Sequence, residues 1–210
     1  MSELDRDLIP SADKNSTRLM VILHGLGDSM EGFRWLPPAL NLPWLNYLLV
    51  NAPDPYYTGF SWYDFAGDST SGIASSRKYL GKLLDHLRES GFPSEQTILS
   101  GFSQGCLMTL ETGFRYNHKL AGMVGLSGYV VSPESIIAEL TEAGRKQHVL
   151  VTHGTRDPLI PFFEVKEMMS KLIATGLDLT WKEFEKAHTS IAGEEELHVI
   201  RDFIKGCFPA

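Results

Sequence analysis

An α/β architecture is predicted for this 210-residue chain: one domain spanning 1–210, with a mainly parallel central sheet, helices on both faces and no large cap domain. Three observations predict it. Short, wholly apolar runs recur along the chain, as expected of strands buried on both faces. The segments between them carry apolar residues at helical spacing, and strand alternating with helix implies right-handed crossovers and parallel pairing. The length suits one core but is short for a core plus a second cap domain.

Taken in order, residues 1–16 form an N-terminal extension that alternates charge with short apolar pieces. Leu-Met-Val-Ile-Leu at 19–23 is the first strand, running into His24-Gly25-Leu26-Gly27-Asp28. A helix is expected over 31–40 and a strand over 45–51. Residues 52–72 are rich in Pro, Tyr and Gly and read as a long active-site loop, since structureless loops of this size are often functional. Tyr79, Leu80, Leu83, Leu84 and Leu87 fall on one stripe of a helix that Gly91-Phe92-Pro93 stops. Further strands are expected at 97–102, 121–127, 149–153 and 179–184, the last more alternating and so nearer an edge. Helices are expected over 104–116, 135–143, 162–175 and 194–205, with Gly144 and Gly176 in post-helix positions.

Composition narrows the class. Hydrophobic residues at 43% and charged residues at 21% are those of a globular protein, so disorder and fibrous folds fit poorly. A formal charge of -7, from 19 basic and 26 acidic side chains, argues against nucleic-acid binding, which rests on phosphate neutralisation. Residues 1–15 hold no apolar run able to span a bilayer or act as a signal core, so stable membrane insertion is not expected. Two cysteines, Cys106 and Cys207, are too few for a disulfide framework and point to a reducing, cytoplasmic setting. An exposed apolar groove would serve equally for substrate and for a homodimer contact.

The chemistry begins at Gly101-Phe102-Ser103-Gln104-Gly105, a G-x-S-x-G motif placed between an expected strand and an expected helix. That context exposes a strained serine at a tight turn, where chance occurrence in a Gly-rich chain would not place it. A serine hydroxyl is a weak nucleophile until a base takes its proton, and the base needs an acid to orient it. In α/β-hydrolase folds the three follow in the order Ser, Asp or Glu, His. Asp157 stands just beyond an expected strand in His153-Gly154-Thr155-Arg156-Asp157-Pro158, whereas the rivals Asp178 and Glu183 begin or lie within a strand. After Asp157 only His188 and His198 remain. His188 lies in a loop after a strand and His198 in mid-helix, so His188 is the expected base.

The backbone amides of Leu26 and Gln104 are the expected oxyanion donors, aimed by the Gly25-Leu26-Gly27 turn and by the helix start after Ser103. His24 and His153 read as buried histidines bonded to backbone, and Cys106 as a small packing residue. No zinc-ligand spacing is present, and the proposed chemistry requires no metal and no cofactor. Trp62 and Tyr63 are candidates to line a shallow substrate groove, the competing role being packing of their loop onto the domain.

Together these segments resemble the phospholipase/carboxylesterase group of small carboxylesterases and acyl-protein thioesterases within the α/β-hydrolases. The resemblance spans nearly the whole chain and rests on HGLGD at 24–28, AP at 52–53, SWYD at 61–64, GFSQG at 101–105, HGTRDPLIP at 153–161, and AHTS followed by Glu194, Glu195 and Glu196. It implies hydrolysis of short- or medium-chain acyl esters, thioesters or lysophospholipids through an acyl-enzyme on Ser103, with Asp157 and His188, without a cofactor. It also implies Leu26 and Gln104 as oxyanion donors. The chain departs from the group's pattern at Tyr56-Tyr57-Thr58-Gly59-Phe60 and at Phe184-Glu185-Lys186-Ala187, which lacks the usual glycine. Two other classes carry the same residues: a peptidase or acyltransferase on this triad, and a binding module that keeps the fold. Amide against ester turnover separates the first, and organophosphonate labelling of Ser103 the second.

Overall fold

The computed structural model describes residues 4–208; residues 1–3 of the expected extension, and residues 209–210, lie outside the described residues. In chain order the elements are β1 (Arg6–Ile9), β2 (Leu19–Leu23), α1 (Leu36–Leu40), β3 (Asn46–Val50), β4 (Asp54–Tyr56), β5 (Gly59–Ser61), α2 (Ser69–Glu89), β6 (Thr97–Phe102), α3 (Gln104–Gly113), β7 (Gly122–Leu126), α4 (Pro133–Ala138), β8 (His148–Gly154), α5 (Phe162–Ala174), β9 (Asp178–Phe184) and α6 (Glu194–Cys207).

Seven strands form one sheet in the order β1-β3-β2-β6-β7-β8-β9, parallel throughout except for β1. Each of β2, β3 and β7 is buried along its whole length, because helices cover both faces. Alternate residues of β2 feed opposite cores. Leu19, Val21 and Leu23 pack with α2, α3 and α5 through residues such as Leu80, Leu107 and Met169. Met20 and Ile22 pack with Leu36, Leu40, Leu197 and Ile200 of α1 and α6. Strand β9 closes one side, and its alternating burial is that of an edge strand, as its sequence indicates.

Chain order reverses between β2 and β6: β3 lies on one side of β2, and β6 to β9 lie on the other. The carboxyl ends of β2 and β6 therefore flank a crevice at a topological switch point, the place where open α/β sheets bind ligands.

Four expectations need correction. Residues 31–40 are not one helix but a 3₁₀ turn over Met30–Phe33 followed by α1, since Pro37 and Pro38 supply no amides to an earlier turn. The 52–72 segment is not one long loop: β4 and β5 pair as a hairpin with Tyr57 and Thr58 at its tip, and Ser69 already begins α2, capped by the Asp68 carboxylate accepting the Ser71 N–H at 3.1 Å. The N-terminal extension carries β1, which pairs antiparallel with β3 from Arg6↔Val50 to Ile9↔Tyr47. The helices expected over 104–116 and 135–143 are shorter and start at Gln104 and Pro133, the second capped by Ser132 accepting the Ser135 N–H at 3.1 Å.

Candidate active site

Ser103 follows β6 directly, with φ 54 and ψ -115, a left-handed conformation that a non-glycine residue adopts only under constraint. The flanking glycines are what the constraint requires. A Cβ on Gly101 would stand 2.2 Å from the Gly105 carbonyl oxygen, and one on Gly105 would stand 2.3 Å from the Leu23 oxygen. Helix α3 therefore starts hard against β2 and β6, and Ser103 is turned outward, half-buried, at the crevice.

Three of the sequence-predicted residues meet there. His188 Nε2 lies 2.9 Å from Ser103 Oγ, and His188 Nδ1 lies 2.7 Å from Asp157 Oδ2. An ionised carboxylate only accepts, so Nδ1 carries the proton and Nε2 is free to accept from the serine. Asp157 is fixed from the other side: its Oδ1 accepts the Leu159 and Ile160 N–H groups, each at 2.9 Å. Burial works to raise the Asp157 carboxyl, but the Ile160 amide, His188 and the Leu159 amide together outweigh it and hold the group below its ordinary value. The Phe102 ring packs against the His188 ring, centroids 5.0 Å apart. Such a chain can move a proton from Ser103 to His188 and stabilise the imidazolium that results.

The rival residues lie elsewhere. Asp178 faces His148 at 2.7 Å, Glu183 faces Lys166 at 2.9 Å, and His198 pairs with Asp202 on an exposed face of α6 at 3.1 Å. His24 donates from Nδ1 to the Gly25 carbonyl at 2.7 Å and accepts the Ala52 N–H at Nε2, at 3.0 Å. His153 donates from Nε2 to the Ile160 carbonyl at 3.1 Å. Burial lowers the pKa of both. Burial also pushes the Cys106 thiol up to about 12, so it stays protonated.

Leu26 and Gln104 line the same cavity as Ser103 and His188. Gln104 opens α3, and a first-turn amide has no acceptor within its own helix. The neighbouring amides of the Leu26 turn are already committed, Gly27 to the Phe60 carbonyl at 2.9 Å and Asp28 to that of Gly25 at 3.2 Å.

Of the two aromatic candidates, Tyr63 lines the cavity and Trp62 does not. Trp62 is fully buried, its indole N–H donating to the His24 carbonyl at 2.9 Å and its main-chain carbonyl accepting from Ser76 Oγ. It joins the 52–72 segment to the His24 turn. The Gln104 side chain completes that junction, accepting the Trp62 N–H at 3.0 Å and donating to the Tyr63 carbonyl at 3.1 Å.

The cavity beside Ser103 has a volume of about 440 Å³. A second cavity of about 380 Å³ adjoins it and shares Tyr63, Phe65, Tyr129, Leu159 and Ile160 as its wall, running on to Ile73, Val165 and Met168. The Tyr63 and Tyr129 hydroxyls are 2.9 Å apart in that wall. Sequence reasoning missed Tyr129, Leu159 and Ile160. The signal for them was position: Tyr129 follows the carboxyl end of β7, and Leu159 and Ile160 follow Asp157.

Among the described residues, no group of three or more His, Cys, Asp or Glu is placed to hold a metal ion, and no helix is long and apolar enough to cross a membrane.

A profile of the phospholipase/carboxylesterase family matches residues 4–208. Acyl-protein thioesterase 1 of Yarrowia lipolytica is 30% identical over 214 residues, covering 90% of this chain and 91% of that protein. Acyl-protein thioesterase 1 of Schizosaccharomyces pombe is 30% identical over 158 residues, 69% of this chain and 70% of the relative. The crystal structure of esterase PE8 superposes with a TM-score of 0.88 at 27% identity, over 99% of this chain and 100% of that one. Arabidopsis thaliana SOBER1 superposes with a TM-score of 0.81 at 26% identity, over 91% and 99%.

Proposed function

Because the chain belongs to the phospholipase/carboxylesterase family, we propose that it is a serine hydrolase cleaving short- or medium-chain acyl esters and thioesters through an acyl-enzyme on Ser103. The observation that carries this reading is the unbroken chain from Asp157 through His188 to Ser103, at 2.7 and 2.9 Å. Similarity to proteins named acyl-protein thioesterase adds thioesters to the substrate class.

In this reading Ser103 Oγ attacks the acyl carbonyl carbon while His188 Nε2 takes the hydroxyl proton. The carbonyl oxygen becomes an oxyanion held by the Leu26 and Gln104 amides, and loss of one such donor costs about 2.7–4 kcal/mol of transition-state stabilisation. Asp157 keeps Nδ1 protonated and stabilises the imidazolium. The tetrahedral intermediate collapses, the carbon–oxygen or carbon–sulfur bond breaks, and His188 gives its proton to the departing alcohol or thiol. Water then enters, loses a proton to His188 and attacks the acyl-enzyme; Ser103 leaves and regains that proton.

The acyl chain occupies the largely apolar cavity beside Ser103, and longer chains extend past Tyr63 and Tyr129 toward Met168. Hydrolysis of p-nitrophenyl esters from acetate to palmitate, alongside a thioester series, tests the reading with the wild type and Ser103→Ala. Turnover with a clear length optimum is expected of the wild type, and Ser103→Ala loses at least about 10⁴-fold. Undiminished turnover by Ser103→Ala would remove the proposal.

A further inference from the structure

His188 sits on the segment 185–193 between β9 and α6, and loops are ordinarily the mobile part of a fold. Two buried charges bracket it that the mechanism above does not use. The side chains of Lys186 and Glu196 are 3% and 0% exposed, with Nζ 2.7 Å from Oε1. Lysine is almost never buried so completely without a paired charge.

The pair grips the loop on both sides of the histidine. Lys186 Nζ also donates to the Ser190 carbonyl at 3.1 Å. Glu196 Oε1 accepts from Thr152 Oγ1 on β8 at 2.5 Å, and Oε2 accepts the Ala192 N–H at 2.5 Å. The Lys186 carbonyl accepts the Arg156 N–H at 3.1 Å, which ties this loop to the one carrying Asp157. Ser127 Oγ donates to the Thr189 carbonyl at 2.8 Å.

A buried ion pair is a poor way to stabilise a fold, because removing two charges from water consumes most of what their attraction returns. Apolar side chains would fill the same space, but they would hold neither the Ser190 carbonyl nor the Ala192 amide. What the charged pair supplies is fixed geometry, and a base misplaced by an ångström loses most of its use.

We propose that the Lys186–Glu196 pair is a positioning device that locks the 185–193 loop so that His188 Nε2 stands within hydrogen-bond reach of Ser103 before substrate arrives. The proposal rests on the reading of Ser103, Asp157 and His188 given above. Lys186 and Glu196 are positioning residues, since the bonds they make hold the loop and none reaches Ser103 or His188 directly.

The double variant Lys186→Met/Glu196→Gln removes both charges together, so no buried ion is stranded, while the glutamine oxygen can still accept the Ala192 N–H. With p-nitrophenyl butyrate, kcat is expected to fall on the order of 100-fold at unchanged KM. The melting temperature should stay near that of the wild type, and the downfield proton resonance of His188 Nδ1–H should broaden as the ring loses its single orientation. A folded double variant with wild-type kcat and an unchanged resonance overturns the proposal. Amide hydrogen exchange on the wild type tests it without any variant: protection of Ala192 as strong as that of α6 supports the clamp, and exchange as fast as a free loop overturns it. Absence of Ser103-dependent turnover in the wild type would remove the base itself, whereas Ser103-dependent turnover that the folded double variant retains in full removes only the clamp.

Discussion

Replacing Asp157 by asparagine separates proton logistics from packing, because the two residues have the same shape. In the native site Oδ1 accepts two backbone amides, from Leu159 and Ile160, and Oδ2 accepts the His188 Nδ1 proton. An asparagine must keep its oxygen toward the two amides, since turning its NH₂ group to them would set three donors face to face. The NH₂ group is then presented to His188, which has to accept at Nδ1 and so carries its proton on Nε2. That proton points at Ser103 Oγ, 2.9 Å away, and the base is lost although no atom has moved far. Reversal of the tautomer in this way lowers kcat by about 10⁴-fold, about 5.4 kcal/mol of barrier at 1.36 kcal/mol per decade. The assay is p-nitrophenyl butyrate hydrolysis at neutral pH, with circular dichroism to show the variant folded. Turnover by folded Asp157→Asn within tenfold of the wild type would show that His188 keeps its working tautomer without the carboxylate.

Three further outcomes are expected. The folded-state pKa of Asp157 is depressed, so its contribution to stability is complete above the unfolded value of about 3.9 and is lost as pH falls through the folded-state value. Urea unfolding of wild type and Asp157→Asn should therefore differ most near neutrality and converge in acid, and a gap that widens in acid would contradict the assignment. Gly105→Ala drives a methyl group to 2.3 Å from the Leu23 carbonyl oxygen and 2.7 Å from that of His24. Because both obstacles are backbone, the cost is about 1–3 kcal/mol, read as a lower melting temperature together with lost turnover. Met168→Trp fills part of the second cavity, which Met168 lines without lining the one beside Ser103. Short esters should turn over as before, while each methylene excluded from long ones costs about 0.8 kcal/mol, about fourfold in kcat/KM.

Five strands of the sheet were legible because they are buried on both faces, which writes them as apolar runs such as Leu19–Leu23, and the edge strand β9 because one buried face writes it as alternation. β1 was not, because four half-exposed residues beginning Arg6-Asp7 carry no such run and take their structure from β3. The β4–β5 hairpin was hidden for a different reason. Its tip places Tyr57 at φ 50 without the Gly or Asn that usually marks such a turn. At the site, Ser103, Asp157 and His188 could be picked out because the motif and the order of residue types are local features of the chain. Whether Trp62 faced in or out was not written locally: its neighbours in the chain do not reveal that the His24 carbonyl awaits its indole N–H. The Lys186–Glu196 contact was equally invisible, since a lysine near an acidic helix start reads as a surface pair until the packing shows both buried.

If His188 activates Ser103 to form a covalent adduct with an acyl donor, Ser103 must react with a fluorophosphonate. Intact-protein mass spectrometry and peptide mapping should find one adduct, on Ser103, formed rapidly by the wild type and far more slowly by His188→Ala. An unlabelled wild type, or label at another residue with Ser103 unmodified, would rule out Ser103 as the activated nucleophile.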